Sequence, residues 1–326
     1  MINTNGILGD GERLKTKLNL YKRIFLNKKN RSMVFIIMVL IIFLISKLSL
    51  FNYFGFVSIS DTKNIIRDFE KNYLYDSVFK NNQYIEMKKD LLRMPFTTKS
   101  KIYELVNYTK KLSQDDYTEF KYIDILQGKL NYPINRKIGF QSKKLDDDTI
   151  YIKILSFEEN AEKKFMKALD NFKNADYLVL DFRGNYLGHY SEALKIADDL
   201  LPENVEIVQI EHANSKHYYN SNQFCYDFKK IFVLLDKDSA YCSEILALAL
   251  KENLKDKVVL IGKHTKNMNI GSIYMTYYNK IGVKIATLKW SVKGKGPMEL
   301  NKYIKDYDDT NLDKLKDYIC VVEQLK

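Results

Sequence analysis

One stretch of this chain constrains the fold more than any other, because a buried strand, a tight turn and an apolar helix follow one another directly. Residues 232–235 form a short apolar run with β-branched and aromatic members, which is typical of a strand buried on both faces. Residues 236–239 are polar and turn-like, and the apolar residues 245–250 predict a helix that begins at Ser243 and Glu244. A helix that begins where a buried strand ends gathers unpaired N–H groups, so this point suits an oxyanion or a carboxylate.

Neighbouring segments extend this unit into a sheet. Residues 138–154 switch to a period of two around an Asp146–Asp148 turn, which predicts a hairpin. The apolar face of residues 157–172 and the apolar run 177–180 then predict a crossover helix and a parallel strand. Further strands are expected at 205–210, 258–261, 272–278 and 282–290, with helices at 191–201 and 312–323. The polar residues 212–222 are expected to form a surface loop.

The N-terminal part of the chain predicts a membrane anchor. Residues 1–32 carry eight Lys or Arg against Asp10 and Glu12, and the apolar residues 33–57 are long enough to span a bilayer if Lys47 reaches an interface. An uncleaved helix would keep the basic tail in the cytoplasm and place the remainder outside the cell membrane. A cleaved signal peptide is the alternative, but no small-residue cleavage site follows. Residues 58–137 show three-to-four spacing and predict a small helical cap before a domain at 138–326.

The composition excludes several classes of protein. Apolar residues make up 46% of the 326-residue chain, enough for a core. Part of the net charge of +11 lies in residues 1–32, and the remainder is spread without an Arg-rich tract. Nucleic-acid binding is therefore disfavoured. The three cysteines and four histidines are scattered without metal-ligand spacing, so neither a metal nor another cofactor is expected.

Three segments carry a family resemblance. They are Asp181-Phe182-Arg183-Gly184-Asn185-Tyr186-Leu187-Gly188, Ser239-Ala240-Tyr241-Cys242-Ser243-Glu244-Ile245 and Gly262-Lys263-His264-Thr265-Lys266-Asn267-Met268. In this order, with these intervening strands, they resemble peptidase family S41, the tail-specific or C-terminal-processing proteases. The resemblance implies an α/β fold with a ClpP/crotonase-like core of parallel strands and crossover helices. It also implies a serine-type endopeptidase.

The resemblance assigns a role to each of these positions. Tyr241 stands where the family has its nucleophilic serine, and Met268 stands where it has the lysine base. Gly188, Asn185 and Cys242 fall at oxyanion or substrate-binding positions. Asp181, Arg183 and Glu244 fall at structural positions, and Leu187 replaces a glycine. A phenol is a poor nucleophile here and a thioether accepts no proton, so these two substitutions predict an inactive protease.

Three hypotheses follow. The first is a membrane-anchored pseudopeptidase that binds peptides or protein C-terminal segments without cutting them. The second is an active peptidase with a displaced nucleophile, Ser243 or Cys242, assisted by Lys266. The competing structural interpretation makes Ser243 a helix cap and Cys242 a small buried hydrophobe. The third hypothesis is an interaction module of a membrane complex in which the site is vestigial.

Overall fold

The computed structural model describes residues 36–41, 55–122, 139–172, 174–186, 188–222, 226–277, 281–304 and 314–326. Of the predicted membrane segment 33–57, residues 36–41 are helical and exposed. Residues 33–35 and 42–54, like the basic stretch 1–32, lie outside the described residues. Within the described ranges, no helix combines the length and the apolar character that crossing a bilayer requires. The predicted segment extends too far at its end, because Phe56–Ser58 is a strand whose Val57 is buried against the cap.

Within residues 56–122, the cap has three α-helices, a short 3-10 helix (Asp76–Lys80), a small two-stranded sheet and one further strand. Its elements are β1 (Phe56–Ser58), α1 (Ile59–Asn72), α2 (Asn82–Arg93), β2 (Phe96–Thr98), α3 (Lys99–Ser113) and β3 (Glu119–Tyr122). β1 and β2 pair antiparallel. The side chains of Ser58, Asn81 and Thr98 accept hydrogen bonds from N–H groups at the starts of α1, α2 and α3, which is why each helix begins where it does. Residues 123–137 of the predicted cap lie outside the described residues.

The remaining elements form two sheets with helices around them. In chain order they are β4 (Phe140–Lys144), β5 (Thr149–Ile154), α4 (Ala161–Asn171), β6 (Tyr177–Asp181), α5 (Tyr190–Leu200), β7 (Glu206–His212), β8 (Ser215–Asn220), β9 (Lys230–Leu235), α6 (Cys242–Leu254), β10 (Val258–Gly262), β11 (Ile270–Tyr277), β12 (Ile281–Ser291), α7 (Pro297–Tyr303) and α8 (Leu315–Leu325).

The first sheet has the strand order β10-β9-β6-β5-β4. β10, β9, β6 and β5 are parallel, and β4 closes the sheet as an antiparallel hairpin with β5. The predicted hairpin and the predicted strand–helix–strand crossover β5-α4-β6 are both confirmed. The chain therefore has the mixed α/β architecture that the sequence predicted.

Both faces of the first sheet are covered, as its apolar strands require. Ile150, Ile152 and Ile154 point toward a core shared with α4, α5 and α6. Tyr151 points the other way, into a core completed by α8. The same alternation holds in β6 and β9, so that successive residues enter opposite cores.

The second sheet has the order β11-β12-β7-β8, and β3 pairs with the first half of β12. All its pairings are antiparallel. The prediction of a surface loop at 212–222 is wrong, because Ser215–Asn220 forms β8. All six β8 side chains are exposed, so the strand has no apolar alternation to reveal it.

The cap is fixed to this second sheet. Phe69, Ile102 and Leu105 of the cap share a core with Val283 and Ile285 of β12. The prediction that the cap region is mostly helical is confirmed for α1, α2 and α3. The prediction misses β3, which belongs to the second sheet and pairs with β12.

Candidate active site

Three loops meet at the carboxyl ends of β6, β9 and β10. They comprise residues 182–189, 236–241 and 263–269, and α6 begins between them. Because neighbouring parallel strands end at the same edge, loops far apart in sequence converge there, and ligands of open α/β sheets bind at such edges. Each of the three segments that carry the family resemblance overlaps one of these loops, and the second continues into the first turn of α6.

The loop after β6 is anchored by a buried ion pair. Arg183 donates from Nε and Nη2 to the two carboxylate oxygens of Asp181, at 2.8 and 2.7 Å. Tyr151 adds a hydrogen bond at 2.6 Å, and Lys153 lies 3.3 Å away. Burial alone would raise the pKa of Asp181, but these partners outweigh it and hold the pKa below its ordinary value. The predicted bracing role of Asp181 and Arg183 agrees with this geometry.

Asn185 joins this loop to the turn before α6. Its carbonyl oxygen accepts hydrogen bonds from the N–H of Ala240 at 2.8 Å and from the hydroxyl of Ser243 at 2.9 Å. Its side-chain amide donates to the carbonyl of Ile154 at 2.9 Å, and the residue is fully buried. The prediction that Asn185 faces a substrate is therefore not matched by its placement, since its side chain is directed into the protein and holds β5.

Gly188 occupies a position that only glycine fits. Its φ is +133°, and a Cβ there would stand 2.6 Å from the backbone nitrogen and oxygen of Phe157. The next residue, His189, donates its N–H to the carbonyl of Phe157 at 2.8 Å. The close approach thus fixes the end of the loop against the segment after β5. Leu187, the predicted glycine replacement, lies outside the described residues.

Tyr241 immediately precedes α6 in a strained backbone conformation. Its φ and ψ are +52° and −96°, a region that residues with a side chain seldom adopt. The hydroxyl lies against Gly271 of β11, where an added Cβ would stand 2.8 Å away from it. Burial raises the pKa of Tyr241 well above its usual value, so the phenol is protonated at neutral pH. Strain of this kind is concentrated at functional sites and persists only where surrounding contacts impose it.

Those contacts come mainly from Glu244, which is buried completely. Its Oε2 accepts hydrogen bonds from the N–H groups of Tyr241 at 2.7 Å and Met268 at 3.1 Å. Its Oε1 accepts from the hydroxyl of Thr265 at 2.6 Å and the N–H of Asn267 at 2.8 Å. One carboxylate therefore holds the loop after β10 against the start of α6. Desolvation nevertheless raises the pKa of Glu244 above its ordinary value, because these donors offset only part of it.

Comparison with known proteins agrees with this arrangement. Residues 148–308, which include all three loops, match the model of peptidase family S41. This part of the chain belongs to peptidase family S41. The S41 domain is 30% identical over 152 residues to the carboxy-terminal processing protease CtpA of Bacillus subtilis, a match that covers 46% of this chain and 32% of that protein. It is 35% identical over 127 residues to CtpB of the same organism, which covers 37% and 26% of the two chains. The match thus spans a third or less of these relatives.

Solved structures share the fold. The photosystem II D1 C-terminal processing protease superimposes with a TM-score of 0.57 at 13% identity, over 77% of this chain and 93% of that one. A lipoprotein from Streptococcus agalactiae superimposes with a TM-score of 0.51 at 13% identity, over 73% and 86%. At such identities the likeness establishes the fold alone.

Within the S41 domain, the candidate replacement nucleophiles are buried. The hydroxyl of Ser243 donates to the carbonyl oxygens of Asn185 and Ala240, each at 2.9 Å, and accepts from the N–H of Ala240 at 3.0 Å. The thiol of Cys242 lies 3.5 Å from the carbonyl oxygen of Gly188, and complete burial raises its pKa. Cys242 is placed as the structural interpretation expects, as a small buried hydrophobe. Ser243 differs from it, because Tyr241 is the residue at the N-cap and Ser243 lies in the first turn of α6, where its hydroxyl holds the preceding turn.

Lys266 and Met268 occupy the loop after β10. The Lys266 ammonium lies 5.4 Å from the ring centroid of Tyr186. The backbone N–H of Lys266 donates to the carbonyl of Ser239 at 2.9 Å. The carbonyl oxygen of Met268 accepts a hydrogen bond from the Trp290 indole at 2.8 Å. The structure therefore brings positions 241 and 268 together, whereas the described contacts of Lys266 are with Tyr186 and Ser239.

Two contributors to the S41 site were missed from the sequence. Asn301 of α7 accepts hydrogen bonds from the N–H and hydroxyl of Thr265, at 2.8 and 3.0 Å. Gly271 provides the space that the Tyr241 hydroxyl occupies. Neither residue lies in a motif, and neither contact is local in sequence, so no pattern in the sequence could have indicated them.

Proposed function

We propose that this S41 domain binds an extended peptide or protein C-terminal segment and leaves its amide bonds intact. The observation that carries the proposal is the pair of side chains at the reacting positions. Tyr241 is the strained residue before α6. The backbone N–H groups of Tyr241 and Met268 both donate to the same carboxylate oxygen of Glu244, so the two residues lie side by side. The frame of an S41 site is present, but this pair supplies neither an aliphatic hydroxyl nor an amine.

The chemistry of these two side chains supports the absence of cleavage. Covalent attack needs a hydroxyl or thiol activated by a neighbouring base. The raised pKa of Tyr241 keeps its phenol protonated, and the thioether of Met268 cannot take a proton. The raised pKa of Cys242 likewise keeps that thiol protonated. The buried hydroxyl of Ser243 is engaged with backbone carbonyls.

The binding function is supported by the relatives and by the loop geometry. CtpA and CtpB of Bacillus subtilis are named carboxy-terminal processing proteases, so their named activity concerns protein C-termini. In this chain the start of α6 provides a positive dipole end beside Gly188, which suits a carboxylate or a polarised carbonyl. We extend C-terminal segment binding to this domain on these grounds.

The proposal includes a membrane location. The apolar residues 33–54 follow a basic stretch, which is the pattern of a single-pass anchor with a cytoplasmic N-terminus. The cap begins at β1 directly after this segment, so the S41 domain would lie outside the cytoplasm near the membrane surface. Carbonate extraction of membranes tests the anchor. Labelling of the exposed Cys320 on intact cells by an impermeant maleimide, with Cys320→Ser as the control, tests the orientation.

The activity is tested with the full-length protein in detergent. Fluorescent peptides with a free C-terminal carboxylate should bind by anisotropy, and mass spectrometry should find them intact after incubation. Amidated peptides of the same sequence are the control for carboxylate recognition. Cleavage that Ser243→Ala abolishes, or labelling of Ser243 or Cys242 by a fluorophosphonate or thiol-directed probe in the folded protein, would establish a displaced nucleophile instead.

A double substitution tests the assignment of the two reacting positions. Tyr241→Ser with Met268→Lys places a hydroxyl and an amine on the existing frame. We expect this variant to gain probe labelling at position 241, and each single variant to remain unlabelled. Failure of every peptide to bind, in a protein whose fold is verified by circular dichroism, would favour an interaction module over a peptide-binding site.

A further inference from the structure

A cavity lies on the other side of the first sheet from Tyr241. It has a volume of about 490 Å³ and lies at the carboxyl ends of β5, β6 and β9, next to α8. Tyr241 packs in the core of α6, whereas Tyr318, which lines this cavity, belongs to the core of α8. The cavity therefore lies on the opposite face of the first sheet from Tyr241, although residues of the same three loops line it. Ligands of open α/β sheets bind at this edge of the sheet.

The floor of the cavity carries more positive than negative charge. Arg183 and Lys153 both line it, and both are paired with the single carboxylate of Asp181, at 2.7 and 3.3 Å. Two cations share one buried anion, so one positive charge is left without a full counter-charge in a half-buried setting. A positive charge that is partly withdrawn from water attracts an anion more strongly than one on an open surface.

The rim adds two lysines and two aspartates. Lys237 and Lys263 are exposed, and so is Asp238. The carboxylate of Asp236 differs, because its Oδ1 accepts hydrogen bonds from the N–H groups of Gly184 at 3.0 Å, Asp238 at 3.0 Å and Ser239 at 2.9 Å. Backbone donors thus hold the carboxylate of Asp236 in place at the rim. The four cationic side chains (Lys153, Arg183, Lys237 and Lys263) still outnumber the three carboxylates of Asp181, Asp236 and Asp238.

The remaining wall is apolar, and the half-buried Leu155 and Leu315 line it. Behind it the buried ring of Tyr318 lies under the guanidinium of Arg183, 4.2 Å from the ring centroid. A ligand that joins an anionic group to an apolar or aromatic body would satisfy both parts of this surface.

We infer that this cavity binds a small molecule that carries an oxyanion, a carboxylate or a phosphate, on an apolar body. The oxyanion lies over Lys153 and Arg183 with Lys237 at the rim, and the apolar body rests on Leu155 and Leu315. The inference stands apart from the peptide-binding proposal, because its residues do not include Tyr241, Met268 or Gly188.

Titration of the full-length protein with benzoate, phenyl phosphate and inorganic phosphate at constant ionic strength tests this site. We expect saturable binding by calorimetry, with phenyl phosphate and benzoate tighter than inorganic phosphate. Lys153→Gln and Lys237→Gln should each weaken binding about tenfold, because each removes a charge-assisted contact. Lys229→Gln is the matched control, since it removes the same charge from an exposed ion pair with Asp176 at the opposite ends of the same strands.

The outcomes separate the alternatives. A preference between benzoate and phenyl phosphate identifies the head group, and loss in both cavity variants but not in Lys229→Gln supports the site. Absence of saturable binding, or equal weakening in Lys229→Gln, overturns it. Should Lys153→Gln disturb the fold through Asp181, the exposed Lys237→Gln decides the result by itself.

Discussion

Tyr241 and Met268 are joined through one oxygen atom, because the backbone N–H groups of both residues donate to Oε2 of Glu244, at 2.7 and 3.1 Å. The two positions come from loops after different strands and meet only through this carboxylate. Glu244 thus determines the relative placement of the reacting positions whatever side chains occupy them.

Substitution of Glu244 tests this role. Glu244→Gln replaces an acceptor-only group by one with a single carbonyl oxygen, leaving buried N–H groups of the loop after β10 without partners. We expect the free energy of unfolding to fall by about 2–3 kcal/mol in urea titrations. Glu299→Gln, at an exposed pair with Lys302, should change it by less than about 0.5 kcal/mol. Equal stabilities for the two variants would show that Glu244 does not hold the loops.

Gly188 offers a test of the close approach to Phe157. Gly188→Ala would place a methyl group 2.6 Å from backbone atoms that cannot rotate away, so we expect a loss of about 3 kcal/mol. Gly294→Ala is the control, because Gly294 also has a positive φ, +76°, but no atom lies within 4 Å of the added Cβ. Its expected cost is about 1 kcal/mol. Thermal unfolding of both variants separates the steric clash from the backbone strain, and matching costs would rule the clash out.

The pairing of Asp181 predicts a pH dependence. Because its pKa is below the unfolded value, the ionised carboxylate stabilises the fold at neutral pH. That contribution is lost as the pH falls below about 4 and through the folded pKa. Asp181→Asn, which leaves Arg183 without its counter-charge, should cost about 3 kcal/mol at pH 7, and the difference from wild type should shrink on acidification.

The control for this prediction is Asp176→Asn, whose partner Lys229 is exposed. It should cost less than about 1 kcal/mol at pH 7. Urea unfolding between pH 3 and 7 measures both variants. A constant difference between wild type and Asp181→Asn over this range would contradict the lowered pKa.

Thiol reactivity distinguishes the burial of Cys242 from the exposure of Cys320. The raised pKa of the buried Cys242 keeps it protonated, and only thiolates react readily. Iodoacetamide at pH 7.5 should therefore modify Cys320 in the folded protein and Cys242 only after unfolding, as read by peptide mass spectrometry. Modification of Cys242 as fast as Cys320 would make Cys242 a candidate nucleophile again.

The sequence predicts those parts of the fold whose side chains match their surroundings, apolar where they are buried and polar in turns. β6 and β9 are apolar because both of their faces are buried, and the β4-β5 hairpin has a polar turn at Asp146–Asp148. β8 escaped prediction because all of its side chains are exposed. Its strand character comes from backbone pairing with β7, which the identity of its side chains does not reflect.

The candidate site also divides into features that the local sequence predicts and features that it does not. The motifs put Asp181 and Arg183 at the end of β6, and Tyr241 and Glu244 at the start of α6 after β9, where the structure has them, because these placements are local to a strand end. The direction of the Asn185 side chain depends on the carbonyl of Ile154 in another strand, and the position of Thr265 depends on Asn301 of α7. Such contacts are set by tertiary packing, which one sequence does not reveal.

The arrangement of the two cores has a consequence for biosynthesis. One face of the first sheet, which includes Tyr151, Val179 and Phe232, is covered by α8, which follows every strand of that sheet in sequence. The strands are synthesised before that helix, so this apolar face stays exposed to solvent until the residues of α8 have been added. We expect nascent chains stalled before Leu315 to bind chaperones and to be digested by protease, and release to come only when the final turn of α8 has emerged.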